Sequence, residues 1–145
     1  MNLQTLTHPS STVLAIAAGV VLLILVFVAG WLTRRKPRKL NHQYYQKKWQ
    51  TAQSLCSNEA TWPLAIINAD KLLDEVLKKS HYKGKTMGER LVSAQHQISQ
   101  NDAVWFGHKL RNKLVHEDLK KLKKKDVMEA LLGFREALKN LGALK

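Results

Sequence analysis

The residues best suited to chemistry fall in one nine-residue stretch, His108-Lys-Leu-Arg111-Asn112-Lys-Leu-Val-His116. An imidazole takes or gives a proton near neutrality, a guanidinium is a fixed cation shaped for phosphate oxygens, and an amide can orient either. Together they could supply proton transfer and a fixed cation beside a bound anion. His108 and His116 are two helical turns apart, ~12 Å, too far to share one metal ion. The adjacent Glu117 and Asp118 complete no ligand set at close spacing, so no metal and no cofactor is expected. Cys56 lies on an apolar stripe and reads as core, and Gly84 belongs to a simple turn, not a phosphate-cradling loop.

These residues must be placed by a helix over about 103–116. At 100° per residue, Ala103, Phe106, Gly107, Leu110 and Leu114 form its core stripe. Trp105, His108, Asn112, Val115 and His116 gather on the opposite side, where a lysine-rich protein would ordinarily carry charge. The helix therefore has two hidden sides. Either Trp105 and Val115 meet something outside the bundle, or Trp105 and His108 pack under a neighbouring helix or loop of the same chain. Arg111 and His116 point ~140° apart on an ideal helix. One helix cannot aim both at one phosphate unless it ends near His116 or the site is shared between two copies.

Lys120, Lys121, Lys123, Lys124 and Lys125 follow directly, and with Lys109, Arg111 and Lys113 they put eight cations within seventeen residues. Such a run reads as a solvated loop and helix start, as a track for a nucleic-acid backbone, or as a contact for anionic lipid.

The chain around this helix has 145 residues and a formal net charge of +13, with no Asp, Glu, Lys or Arg before residue 34. Barrels and doubly wound sheets do not fit in the remainder, and a single cysteine gives no disulfide framework. From Val13 to Leu32 twenty residues carry no charge, which predicts a transmembrane helix over 13–33 with Trp31 as an interfacial aromatic. Arg34, Arg35, Lys36, Arg38 and Lys39 follow it and none precedes it. This predicts a short outer N-terminus over 1–12, a basic juxtamembrane linker over 34–39 and a cytoplasmic domain over 40–145 at the inner membrane. The same five cations would also touch anionic lipid. Pro37 ends the spanning helix.

The domain reads as all-α, an antiparallel bundle of four to five helices. Tyr45, Trp49, Ala52 and Cys56 predict a helix over about 40–57, and Trp62, Ile66, Ala69, Leu73 and Leu77 one over about 60–79. Thr86-Met-Gly-Glu89 reads as a capping box opening a helix to about Ile98, and Asn101-Asp102 as the next N-cap. Val127, Leu131, Phe134, Leu138 and Leu141 mark a last helix over about 126–141 behind an Asp126 cap.

The stretch from His108 to His116 resembles the R-x4-6-H signature of HEPN domains, small helical bundles that often dimerise. It includes the polar residue after the arginine, here Asn112, and a place late in the bundle. The segment ADKLLDEVLKK within Trp62–Lys79 is similar to helices of such domains, and the resemblance extends over about residues 40–143. Arg90 to His96 also satisfies the spacing but lacks the polar residue after arginine. What the resemblance implies is a homodimer that joins the Arg and His of two copies to cut RNA without a metal. His116 would then be acid or base, Arg111 the transition-state clamp, Asn112 the group that orients them, and His108 an assistant. Three readings follow: a metal-independent ribonuclease, a non-catalytic interaction module using the same residues, and a membrane-surface adaptor whose basic patch binds anionic lipid or an acidic partner.

Overall fold

The computed structural model describes residues 11–32, 40–116 and 121–145. The juxtamembrane cations Arg34, Arg35, Lys36, Arg38 and Lys39, together with Pro37, Glu117, Asp118 and Lys120, lie outside the described residues, as does the Trp31 side chain. The chain divides into two units, residues 1–36 and 37–145.

The first unit contains α1 (Ser11–Leu32), helical where the uncharged run predicts it. The expected fold class is nonetheless corrected here: among the described residues no helix is long and apolar enough to cross a membrane.

The second unit is all-helical among its described residues: α2 (His42–Ser54), α3 (Trp62–Lys79), α4 (Met87–Ala94), α5 (Asn101–His116) and α6 (Lys124–Asn140), with two short 3₁₀ turns between α2 and α3. α3 is the hub and packs against α2, α4, α5 and α6. Its stripe supplies Ile66, Ala69, Leu73, Val76 and Leu77 to a core closed by Leu91, Val104, Phe134 and Leu138. α2 is tied to α3 by Lys48 Nζ donating to Glu75 Oε2 at 2.9 Å. Burial pushes the Glu75 carboxyl up, but hydrogen bonds from Lys48 and Tyr44 and the Lys48 charge outweigh it and leave it below its usual 4.5. A lowered carboxyl stabilises above its unfolded value and loses that contribution as pH falls through its folded value. The difference in Tm between wild type and Glu75→Gln is therefore expected to be present at neutral pH and to close below about pH 4.5, which a thermal-unfolding series in pH reads directly.

Helix starts differ from expectation for identifiable reasons. The Thr86 hydroxyl accepts from Glu89 N–H as a capping box requires, but the Glu89 carboxylate accepts from Lys85 N–H, 2.7 Å, instead of the cap's own amide. α4 ends at Ala94, not Ile98. Asn101 does not cap α5 but lies inside it, its amide donating to the Gln95 and Ile98 carbonyls. α6 begins two residues before Asp126, with Lys123 at a cap position that makes no side-chain bond.

Two glycines let α5 and α6 approach. A Cβ on Gly107 would lie 2.7 Å from the Phe134 ring, and one on Gly133 would lie 2.7 Å from the Ala103 carbonyl carbon. Backbone cannot yield as a side chain can. Gly133→Ala is expected to destabilise by about 1–3 kcal/mol despite the better helix propensity of alanine, read as a lower urea midpoint.

Candidate functional site

α5 is covered on two sides by its own chain. One side meets α6 through Gly107, against Phe134, and through Ala103, against Gly133. The other meets α3 and α4. The Trp105 ring lies against Gly88 at the start of α4 and edge-on to His108, 6.0 Å between ring centroids. The element that hides Trp105 and His108 is thus a neighbouring helix, the second of the two arrangements open from the sequence. Only the last turn escapes: Val115 is 47% exposed and His116 is exposed.

On the α3 side, four polar side chains close a ring. His108 Nδ1 lies 2.8 Å from Asp70 Oδ1, and Arg111 Nε lies 3.5 Å from Asp70 Oδ2. Arg111 Nη1 donates to Asn112 Oδ1 at 3.0 Å, and Asn112 Nδ2 faces His108 Nε2 at 3.4 Å. Donor and acceptor roles close in one way only. Arginine can only donate, so Asn112 must turn its oxygen to Arg111 and its NH₂ to His108. His108 Nε2 then accepts, and the ring proton sits on Nδ1, donated to Asp70. Asp70 is 4% exposed and carries this ring on a helix face that is otherwise core.

The ring forms one wall of an open cleft of about 830 Å³ between α3, α4 and α5. Lys71 and Lys78 flank it on α3, and Thr86, Met87 and Gly88 line it from the start of α4. Its floor is braced by Arg90, whose Nε and Nη2 both donate to Asp74 Oδ1, 2.8 and 2.6 Å, while Nη1 donates to the Gly84 carbonyl at 2.8 Å. Arg90 is therefore a buried brace, and its apparent partner His96 lies exposed beyond the end of α4.

Of the residues singled out in the sequence, Arg111, Asn112 and His108 come together. His116 stands one turn above Asn112 at the end of α5, outside the ring. Lys109 and Lys113 point outward from α5, and Lys121, Lys123, Lys124 and Lys125 are exposed at and before the start of α6. Cys56 is half-buried and burial pushes its thiol up, which fits a packing role. Among the described residues no group of three or more His, Cys, Asp or Glu side chains is placed to hold a metal ion.

Asp70 is the member of this ring that the sequence reading does not single out. Its signal was available: Ile66, Asp70, Leu73 and Leu77 follow i, i+4, i+7, i+11, so a carboxylate occupies a core position and needs a cationic or donor partner.

A model of a family of unknown function (DUF5480) matches residues 4–67, which is 64 of 145 positions and stops short of Asp70. No curated protein and no solved structure matches the chain.

Proposed function

We propose that residues 40–145 are a HEPN-like helical module that pairs with a second copy and cuts RNA without a metal. The observation that carries this reading is the Asp70 carboxylate fixing His108 and Arg111 side by side on the wall of an open cleft, with Asn112 between them. In the proposed reaction the ribose 2′-oxygen bonds to phosphorus and the bond to the 5′-oxygen breaks. One His116 takes the 2′-hydroxyl proton and the His116 of the second copy gives a proton to the leaving oxygen. Arg111 holds the charge that builds on the phosphate oxygens, and Asp70, His108 and Asn112 set where its guanidinium rests before substrate binds. Two copies meet the geometric need set by the ~140° between Arg111 and His116.

One observation favours a second reading, a non-catalytic interaction module. Arg111 Nη1 and both nitrogens of His108 are engaged inside the ring, as in a joint that sets the angle between α3 and α5 and presents Val115 and His116 to a partner.

The test incubates residues 37–145, which carry their own core, with single-stranded RNA in the presence of chelator. Cleavage leaving cyclic phosphate ends is expected, with Arg111→Ala and His116→Ala each slowing it about a hundredfold or more. No cleavage, with a dimer in solution lost in both variants, would replace the enzyme by the interaction module. Unchanged cleavage in either variant would contradict the assignment of that residue.

A further inference from the structure

The ring around Asp70 is satisfied in only one protonation state and is one hydrogen bond short even there. His108 Nε2 must be unprotonated to accept from Asn112 Nδ2, and only that amide orientation turns Oδ1 toward Arg111 Nη1. Arg111 Nε, meanwhile, is buried without a hydrogen-bond partner among the described residues, 3.5 Å from Asp70 Oδ2. A buried donor left unmade favours any rearrangement that satisfies it.

We infer that the ring is a proton-operated latch on Arg111, so that the cleft takes up an oxyanion together with one proton on His108. This rests on reading the cleft as a phosphate site and adds how that site is opened. When Nε2 gains a proton, it faces the Asn112 NH₂ as donor against donor. The amide turns, its oxygen now accepts from Nε2, and its NH₂ faces Arg111 Nη1, which cannot accept. Arg111 loses that bond while the new charge on His108 repels it and draws more of the Asp70 carboxylate. The guanidinium is released toward the cleft, where an oxyanion can take Nη1 and Nε together, the paired geometry arginine offers such ligands. The charged groups lining the cleft around His108 are Asp70, Lys71, Asp74 and Lys78 from α3 and Arg111 from α5. From α4 the lining is Met87 and Gly88 behind the capping residue Thr86, and Arg90 is engaged by Asp74 and the Gly84 carbonyl. Among the residues lining the cleft, His108 is the one imidazole.

Because coupling is reciprocal, anion affinity must rise as His108 is protonated, and bound anion must hold the proton. The experiment uses the full chain and sulfate, whose charge is constant over this range, with binding followed by NMR of the Arg111 guanidinium and the His108 ring nitrogens. Sulfate is expected to bind about five- to tenfold tighter at pH 5.5 than at pH 8, with the His108 proton on Nδ1 at the higher pH. In Asn112→Ala, which lacks the latch, the affinity is expected to be high at pH 8 and nearly flat with pH. Equal wild-type affinity at both pH values would overturn the proposal, as would a His108 proton on Nε2 at pH 8, which needs no variant to fold. The same pH slope in Asn112→Ala would also overturn it, by assigning the effect to other cations. RNA cleavage is not read in any arm, so failure of the nuclease reading leaves this outcome separate.

Discussion

Asp70→Ala is expected to lower the stability of the helical domain by about 3–5 kcal/mol, the range found when one partner of a buried charge cluster is deleted. The carboxylate is 4% exposed, and among the described residues it is the acceptor that joins His108 on one oxygen to Arg111 on the other. Removing it leaves a guanidinium with its buried Nε facing a void and an imidazole N–H aimed at nothing. It also removes both polar contacts between α3 and α5 seen in this wall among the described residues. Asp70→Asn is expected to fall between the two, because an amide can still accept from His108 but must point its NH₂ at Arg111. The measurement is urea unfolding, with the loss appearing in the midpoint at unchanged slope. On the proposed ribonuclease reading, RNA cleavage should fall with the alanine variant even below its unfolding temperature, since Arg111 loses the group that aims it.

Arg90→Ala should cost nearly as much, about 3 kcal/mol. Its guanidinium makes three hydrogen bonds and is almost fully buried, at 7% side-chain exposure. Two of them end on Asp74, which keeps an ion pair with Lys78, and the third ends on the Gly84 carbonyl in the loop before α4. Truncation therefore orphans one carboxylate oxygen and one carbonyl and unpins residues 81–86. Hydrogen exchange is expected to accelerate first in that loop and at the start of α4, before the rest of the domain. Arg90→Lys should recover little of the loss, because an ammonium cannot reach the carboxylate and the carbonyl in one planar fork.

The helices were legible wherever an apolar stripe repeats at 3.6 residues, because burial of one face outweighs local propensity. Trp62, Ile66, Leu73 and Leu77 located α3, and Val127, Phe134 and Leu138 located α6. Their ends were less legible. Lys123 is a poor cap and Asn101 a good one, yet α6 starts after the first and the second is drawn inside α5, where its amide closes the preceding turn. The uncharged segment located α1 as a helix, but uniform apolarity does not by itself establish a span, and among the described residues none is found. In the site, residue types alone predicted cover for Trp105, His108, Asn112, Val115 and His116, but only the first three are partly covered, and what covers them was not legible. Trp105 rests on Gly88 because a glycine at the start of α4 leaves room for an indole, a contact between residues far apart in sequence. Asp70 escaped notice for the same reason: its partners lie 38 and 41 positions away, and only packing of α3 on α5 joins them.

One carboxylate on α3, Asp70, organises the polar ring formed by His108, Arg111 and Asn112 on α5. A double-mutant cycle between Asp70→Asn and His108→Gln, read as unfolding free energy at neutral pH, tests it most directly. The account predicts a coupling above about 1 kcal/mol, with the second substitution costing far less once the first is present. Two losses that simply add, within about 0.5 kcal/mol, would contradict it.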